Sequence, residues 1–176
     1  MKTVYGKDLN SVGESWQKQA VRLDYTAIQR IQNPSEAVQI AAVHADSRAI
    51  QFIANPSEAV QLAAINVNTY ALKYIANPSQ AVQLAAIRGN YTSIRMINDP
   101  TPELQMAAVQ IKPNAIEYIR SPTHQATMVA FLGMINLTHT TSADTLFLIS
   151  QLQRIYHLHP DWDDLHMIAD AIGVTL

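Results

Sequence analysis

The sequence predicts an all-α fold: an α-solenoid made by stacking short two-helix repeats and closed by C-terminal helices. Three observations predict it. The phrase NPSEAVQ stands at 33–39 and again at 55–61, and returns at 77–83 as NPSQAVQ. Pro34, Pro56, Pro78, Pro100 and Pro122 follow one another at a constant spacing of 22 residues. Each interval carries two short apolar segments with a polar break between them, VQIAAV and then AIQFI in the first. A phrase that recurs belongs to an element that is stacked, whereas a catalytic site is assembled once from unlike residues.

The array is read over 1–133. Residues 12–33 form a degenerate first unit, 34–121 hold four full units, and 122–133 open a partial one. In the degenerate unit Glu14 falls where Glu36 does, Gln17 where Gln39 does, and Ala27-Ile28 with Ile31 where Ala49-Ile50 and Ile53 do. An atypical first unit suits a stack whose outer face meets water instead of a neighbour.

Within a unit, Asn33, Asn55 and Asn77 are read as helix N-caps, with the prolines at the first helical position and Glu36 or Glu58 completing a capping box. Asp99 and Ser121 take the cap in later units. The following runs, VQIAAV, VQLAAI, VQLAAI and LQMAAV, each carry paired alanines that let another helix approach closely. After the break, Asp46, Asn68 and Asn90 are read as caps of a second helix containing AIQFI, ALKYI or SIRMI; AIEYI is its counterpart in the next unit. Helices of about ten and about seven residues are too short to be stable alone, so stacking must hold them. A β reading of AIQFIANP competes, because the apolar positions of its counterparts ALKYI and SIRMI alternate as well as recurring at i, i+3. Alanine richness and the lack of a leucine-asparagine consensus favour helix.

The period ends after Gly133, and 134–176 are read as a C-terminal helical cap. The stretch SADTLFLISQLQRIYHLH predicts an amphipathic helix opened by Ser142, with Leu146, Ile149, Leu152 and either Ile155 or Tyr156 on one face. A second helix is read from Pro160-Asp161, with Trp162, Leu165, Ile168 and Ile172 inward and Gly173 as its C-cap. A homodimer contact through these helices is the oligomeric expectation.

The phrase NPSEAVQLAAI followed by ALKYI resembles the short helical repeats written NPSEEVQLAAVKQN in bacterial and phage proteins. More distantly, it is similar to leucine-rich-repeat variants and HEAT-like arrays. The resemblance spans about residues 12–133. It implies a stacked helical architecture and a binding scaffold, sometimes carried on a mobile element, and it transfers no active site.

Composition narrows the function. Cysteine is absent, which removes disulfides, thiolate metal sites and cysteine nucleophiles together. The formal charge is −2 and charged residues make up 15%, so no concentrated basic face for phosphate binding is expected. The N-terminus has no apolar signal core and no run of about 18 apolar residues occurs, which predicts a soluble cytoplasmic protein without a membrane partner. The motifs GxxxxGK[ST], GxGxxG and GxSxG are all missing.

Two ladders run through the repeat. Gln39, Gln61, Gln83 and Gln105, with Gln17 before them, are read as structural residues that satisfy a turn or backbone group of the adjacent unit. Phe52, Tyr74, Met96 and Tyr118 are read first as packing and second as an anchor row for a partner. Recognition is expected where the copies disagree, because stacking does not dictate those positions. The candidate partner-binding residues are Tyr70, Lys73, Tyr74, Arg88, Tyr91 and Arg95.

The leading expectation is a non-enzymatic, cofactor-free scaffold that binds another protein, serving as an adaptor or inhibitor encoded by a phage or similar element. Nucleic-acid binding through Lys73, Arg88, Arg95 and nearby tyrosines is the alternative. A second alternative is a metal-dependent enzyme using His157, His159, Asp161, Asp163, Asp164 and His166. Imidazole and carboxylate are a zinc-type ligand set, but no HExxH spacing puts two imidazoles on one helical face.

Overall fold

A computed structural model of the chain describes residues 8–137, 142–158 and 162–171, and every regular element among them is helical. Five α-helices of ten residues recur along the array: α1 (Glu14–Leu23), α2 (Glu36–Ala45), α3 (Glu58–Val67), α4 (Gln80–Gly89) and α5 (Pro102–Ile111). Each is followed by a six-residue 3₁₀ helix: η1 (Tyr25–Arg30), η2 (Ser47–Phe52), η3 (Thr69–Tyr74), η4 (Tyr91–Met96) and η5 (Pro113–Tyr118). Three longer elements end the described chain: α6 (His124–Leu137), α7 (Ser142–Leu158) and α8 (Asp163–Ala171). No strand occurs among the described residues, so the β reading of AIQFIANP is set aside.

One residue both ends the α-helix and starts the 3₁₀ helix. Asp46, Asn68 and Asn90 are extended (φ −155° to −158°), and the N–H of each closes the helix behind it on the carbonyl of Ala42, Ala64 or Ala86. Their side chains then accept from the N–H of Arg48, Tyr70 and Thr92 at 2.9, 2.9 and 3.0 Å, so the expected caps of the second helix are present. Asp24 does the same for Thr26 in the first unit. Residues three apart eclipse in a 3₁₀ helix, which puts the buried Ser47, Ile50 and the flanking Ile53 on one line.

The start of the first helix differs from the expected register. The N-caps are Ser35, Ser57 and Ser79, not Asn33, Asn55 and Asn77, and Glu36 and Glu58 open their helices instead of completing a capping box. Each serine Oγ faces the N–H of the valine three residues on, at 3.3–3.4 Å. The same hydroxyl donates its proton to the glutamate that opens the preceding helix. Ser35 donates to Glu14 at 2.7 Å, Ser57 to Glu36 at 2.6 Å and Ser79 to Glu58 at 2.5 Å. The phrase NPSE therefore holds two halves of a bond that is completed only between successive copies. Thr101 takes the N-cap position in α5, where Asp99 was expected, and Asp99, like Asn55, instead has a left-handed backbone (φ 50°). The Ala126 N–H donates to Thr123 Oγ1 at the start of α6, a role expected of Ser121.

The chain divides into two compact units, residues 1–96 and 97–176. In the first, α1 to α4 pack side by side in sequence order and η1 to η4 do likewise, each of η1 to η3 lying against its own α-helix and the next. Ala20, Ala42, Ala64 and Ala86, with Val21, Val38, Val60 and Val82, make the core between them. Ala63 and Ala85, which precede two of them, are only half-buried, whereas Ala41 is buried, so the second alanine of each pair is the one buried throughout. Gly89 records how close that approach is, since a Cβ there would lie 2.6 Å from the Thr69 methyl.

In the second unit η5 packs against both α5 and α6, and α7 packs against α8. Helix continues through Gly133 to Leu137, so the loss of the repeat period there is not a break in the backbone. Gly133 instead admits the Pro113 ring, whose Cγ would lie 2.6 Å from an added Cβ. On α7, Leu152 and Ile155 are buried, whereas Leu146, expected on the same face, is 66% exposed. Leu165 and Ala169 of α8 are buried, and the Trp162 ring lies 4.8 Å from that of His124. The expected contributions of Pro160, Asp161, the Ile168 side chain, Ile172 and Gly173 lie outside the described residues.

Candidate functional site

Two sets of polar residues must be separated before a site can be read: those that the repeat consumes and those that it leaves. The glutamine ladder is consumed. Gln39, Gln61, Gln83 and Gln105 sit in the second turn of their helices and donate Nε2 to the carbonyl of their own unit's proline, Pro34, Pro56, Pro78 or Pro100, at 2.9–3.0 Å. That carbonyl precedes the N-cap and lies outside the helical ladder, so without the glutamine it would lose its partner. The ladder is structural as expected, with its main bond inside the unit. Gln105 alone also reaches the next unit, donating to Ser121 O at 3.3 Å and accepting from the Thr123 N–H at 2.7 Å.

What the repeat leaves lies on the 3₁₀ helices of the first unit. Residues three apart on a 3₁₀ helix stand one above the other, and on η3 this puts Lys73 beside Tyr70. The Lys73 ammonium lies 4.2 Å from the Tyr70 ring centre and 4.6 Å from that of Tyr74, within cation–π range of both. Hydrogen bonding to Tyr70 first, and to Tyr74 second, raises the Lys73 pKa and keeps it a cation. Tyr70 is 48% exposed, an unusual state for a tyrosine that only packs.

The same edge continues toward the N-terminus. On η2 the Arg48 guanidinium is 5.2 Å from the Tyr25 ring centre, and Tyr25 stacks on Phe52 at 6.4 Å. Arg48 is paired with Asp46 at 2.6 Å, which lowers the carboxyl pKa of Asp46 and raises that of the guanidinium. Tyr25 and Arg48 were not among the six candidates. Tyr25 could have been found, because it stands three repeat lengths before Tyr91, which was.

Of the six candidates, Tyr70, Lys73 and Tyr74 thus form one cluster on η3. Tyr91 and Arg95 lie on η4, which packs against η3, with Tyr91 half-buried and Arg95 exposed. Arg88 is exposed in the last turn of α4. Ion pairs among the described residues take up Lys18 and Arg48, not Lys73, Arg88 or Arg95.

A groove of about 400 Å³ adjoins this cluster. Ile50, Ile53 and Ile75 give it an apolar base, and Tyr74, Asn55 and Gln61 line its sides. Gln61 Oε1 is buried and has no hydrogen-bond partner.

Among the described residues no group of three or more histidine, aspartate or glutamate side chains is placed to hold a metal ion. His166 lies edge-on to the Tyr156 ring at 5.0 Å, while His159, Asp161 and the side chains of Asp163 and Asp164 lie outside the described residues. No helix among the described residues is long and apolar enough to cross a membrane. No family model, curated protein or solved structure matches the chain.

Proposed function

We propose that the chain is a non-enzymatic α-solenoid scaffold that binds another protein along the edge formed by its 3₁₀ helices. The observation that carries this reading is the division of labour among polar residues. In the copies at 33–39 and 55–61 the Gln, Ser and Glu of the repeated phrase all enter intramolecular bonds, as in Gln61 to Pro56 and Ser57 to Glu36. The residues that change between copies include Tyr70, Lys73 and Tyr74 on η3 and Arg95 on η4, with Lys73 and Arg95 outside the ion pairs of the described residues. Exposed tyrosine with adjoining cations is the side-chain chemistry favoured at protein interfaces.

Affinity capture with the full chain, read by mass spectrometry, tests the reading. A partner retained by the unaltered chain and lost with Tyr74→Ala and with Arg95→Glu is the expected result. Turnover of a substrate that disappears on mutating a polar cluster would overturn it. Retention on nucleic acid with a steep salt slope, lost together with Lys73, Arg88 and Arg95, would transfer the same edge to phosphate binding.

A further inference from the structure

Two cations on neighbouring 3₁₀ helices are held against aromatic rings, and the chain supplies a carboxylate to only one of them. On η2, Arg48 lies 5.2 Å from the Tyr25 ring centre and donates to the Asp46 carboxylate at 2.6 Å. On η3, Lys73 lies 4.2 Å from the Tyr70 ring centre and 4.6 Å from that of Tyr74. The cap that is Asp46 before η2 is Asn68 before η3, a neutral amide in place of the carboxylate. Lys73 is exposed and enters none of the ion pairs among the described residues.

The rings also reduce what pairing costs. An exposed lysine gives little in an ion pair largely because its long side chain must be immobilised. Between Tyr70 and Tyr74 the side chain is held before a partner arrives, which leaves less freedom to lose on binding. Hydrogen bonding to Tyr70, and then to Tyr74, raises the Lys73 pKa, so its charge is present throughout the neutral range. A nucleic-acid strand fits this place less well than an acidic side chain. Its affinity rests on many neutralised phosphates, whereas η3 packs beside η2, whose one cation is already paired with Asp46. One face of each tyrosine ring, where a base would stack, is taken by the ammonium.

We infer that Lys73, clamped by Tyr70 and Tyr74, is a preformed receptor for one aspartate or glutamate carboxylate of the partner protein. Its ammonium donates to that carboxylate as Arg48 donates to Asp46. Arg95, exposed at the same position of η4, extends the preference for acidic residues to the neighbouring helix. The inference rests on the protein-binding reading and names the partner's chemistry at one residue.

Selection of a displayed random-peptide library on the full chain, followed by titration of the enriched peptides in C-terminally amidated form, tests it. Enrichment of aspartate or glutamate is expected, and replacing one of them by its amide should weaken binding about threefold to fivefold, the worth of an exposed ion pair. That loss should vanish in Lys73→Met, and Lys73→Glu, an exposed change that does not threaten folding, should turn the preference toward basic peptides. Tyr70→Leu keeps the charge and removes half of the clamp; it should weaken the acidic peptides and leave their amide analogues unchanged. No acidic enrichment, or acidic peptides that bind Lys73→Met as tightly as the parent, overturns the receptor. Binding that disappears on amidation assigns the lysine to a terminal carboxylate, and oligothymidylate bound more tightly than the peptides assigns it to phosphate; either result overturns the inference. If the receptor fails while capture of a folded partner still depends on Tyr74 and Arg95, the scaffold reading stands; loss of both removes both.

Discussion

Ser93 is the residue whose replacement should make this protein more stable. It lies on η4, is 1% exposed, and its hydroxyl has no hydrogen-bond partner. The equivalent position in every other copy is alanine, Ala27, Ala49, Ala71 and Ala115, each buried to within 1%. Ser93→Ala removes one oxygen and gives this copy the side chain its neighbours use. An unpaired buried hydroxyl costs about 1–3 kcal/mol, and the small void left by its loss returns part of that. A net gain of about 1 kcal/mol is expected, or about 3 °C in melting temperature for a chain of this length. Thermal melts followed by circular dichroism read it directly. The reverse change, Ala71→Ser, should lose a similar amount by burying the same orphan group one copy earlier. A Ser93→Ala variant that melts at or below the parent temperature would refute the reasoning, because the hydroxyl would then have to be satisfied.

The remaining predictions concern framework residues. Gly133→Ala should destabilise by roughly 1–3 kcal/mol in urea denaturation, since the added methyl meets the rigid Pro113 ring at 2.6 Å. Gly89→Ala should cost less and be relieved by Thr69→Ser, which removes the methyl it would strike; additive effects of the pair would contradict the contact. Gln83→Leu removes one bond, to Pro78 O, and should cost about 1 kcal/mol. Gln105→Leu removes two donations and strands the Thr123 N–H, and should cost about twice that; equal losses would argue against the bridging role. The Glu14 carboxyl has a pKa lowered below 4.5, first by its hydrogen bond to Lys18 and then by that to Ser35. A lowered folded value means that its contribution is present above 4.5 and is lost as pH falls through the lower value. Acid titration of Glu14→Gln should accordingly show a slightly shallower loss of stability below that pH than the parent.

How far the sequence could be read depended on whether the deciding contact was local. The two-helix unit and the caps Asp46, Asn68 and Asn90 were legible because each cap bonds an N–H only two residues away. The N-cap of the first helix was not. NPS offers both Asn and Ser as caps, and the choice falls to Ser because its hydroxyl must also reach a glutamate 21 residues earlier, as Ser57 reaches Glu36. That partner is invisible to any local pattern. The 3₁₀ character of the second helix is half visible: the i, i+3 spacing stands in ALKYI and SIRMI, but its burial consequence appears only with Ile50 and Ile53 on one line. Leu146 was placed inward by periodicity alone, and periodicity does not say whether a neighbour covers that part of the face.

For the candidate site, the rule that function lies where copies disagree found Tyr70, Lys73 and Tyr74, which do cluster. It misses Tyr25 because the first copy is degenerate and reads as an end cap; Arg48 stands in a full unit at the variable position of Tyr70 but outside the six candidates. It also passed over Gln61, because uniformity among the glutamines concealed a difference between copies. Gln105 Oε1 is satisfied and Gln61 Oε1 is not, a distinction written in the packing of the following loop and absent from the residue identities.

Hydrogen–deuterium exchange of the full chain, alone and with its captured protein partner, tests the central claim most directly. The account predicts slowed exchange in Thr69–Tyr74 and Tyr91–Met96, with the repeated phrases at 33–39 and 77–83 unchanged. Protection confined to α7 and α8, or to the repeated phrases themselves, would contradict it.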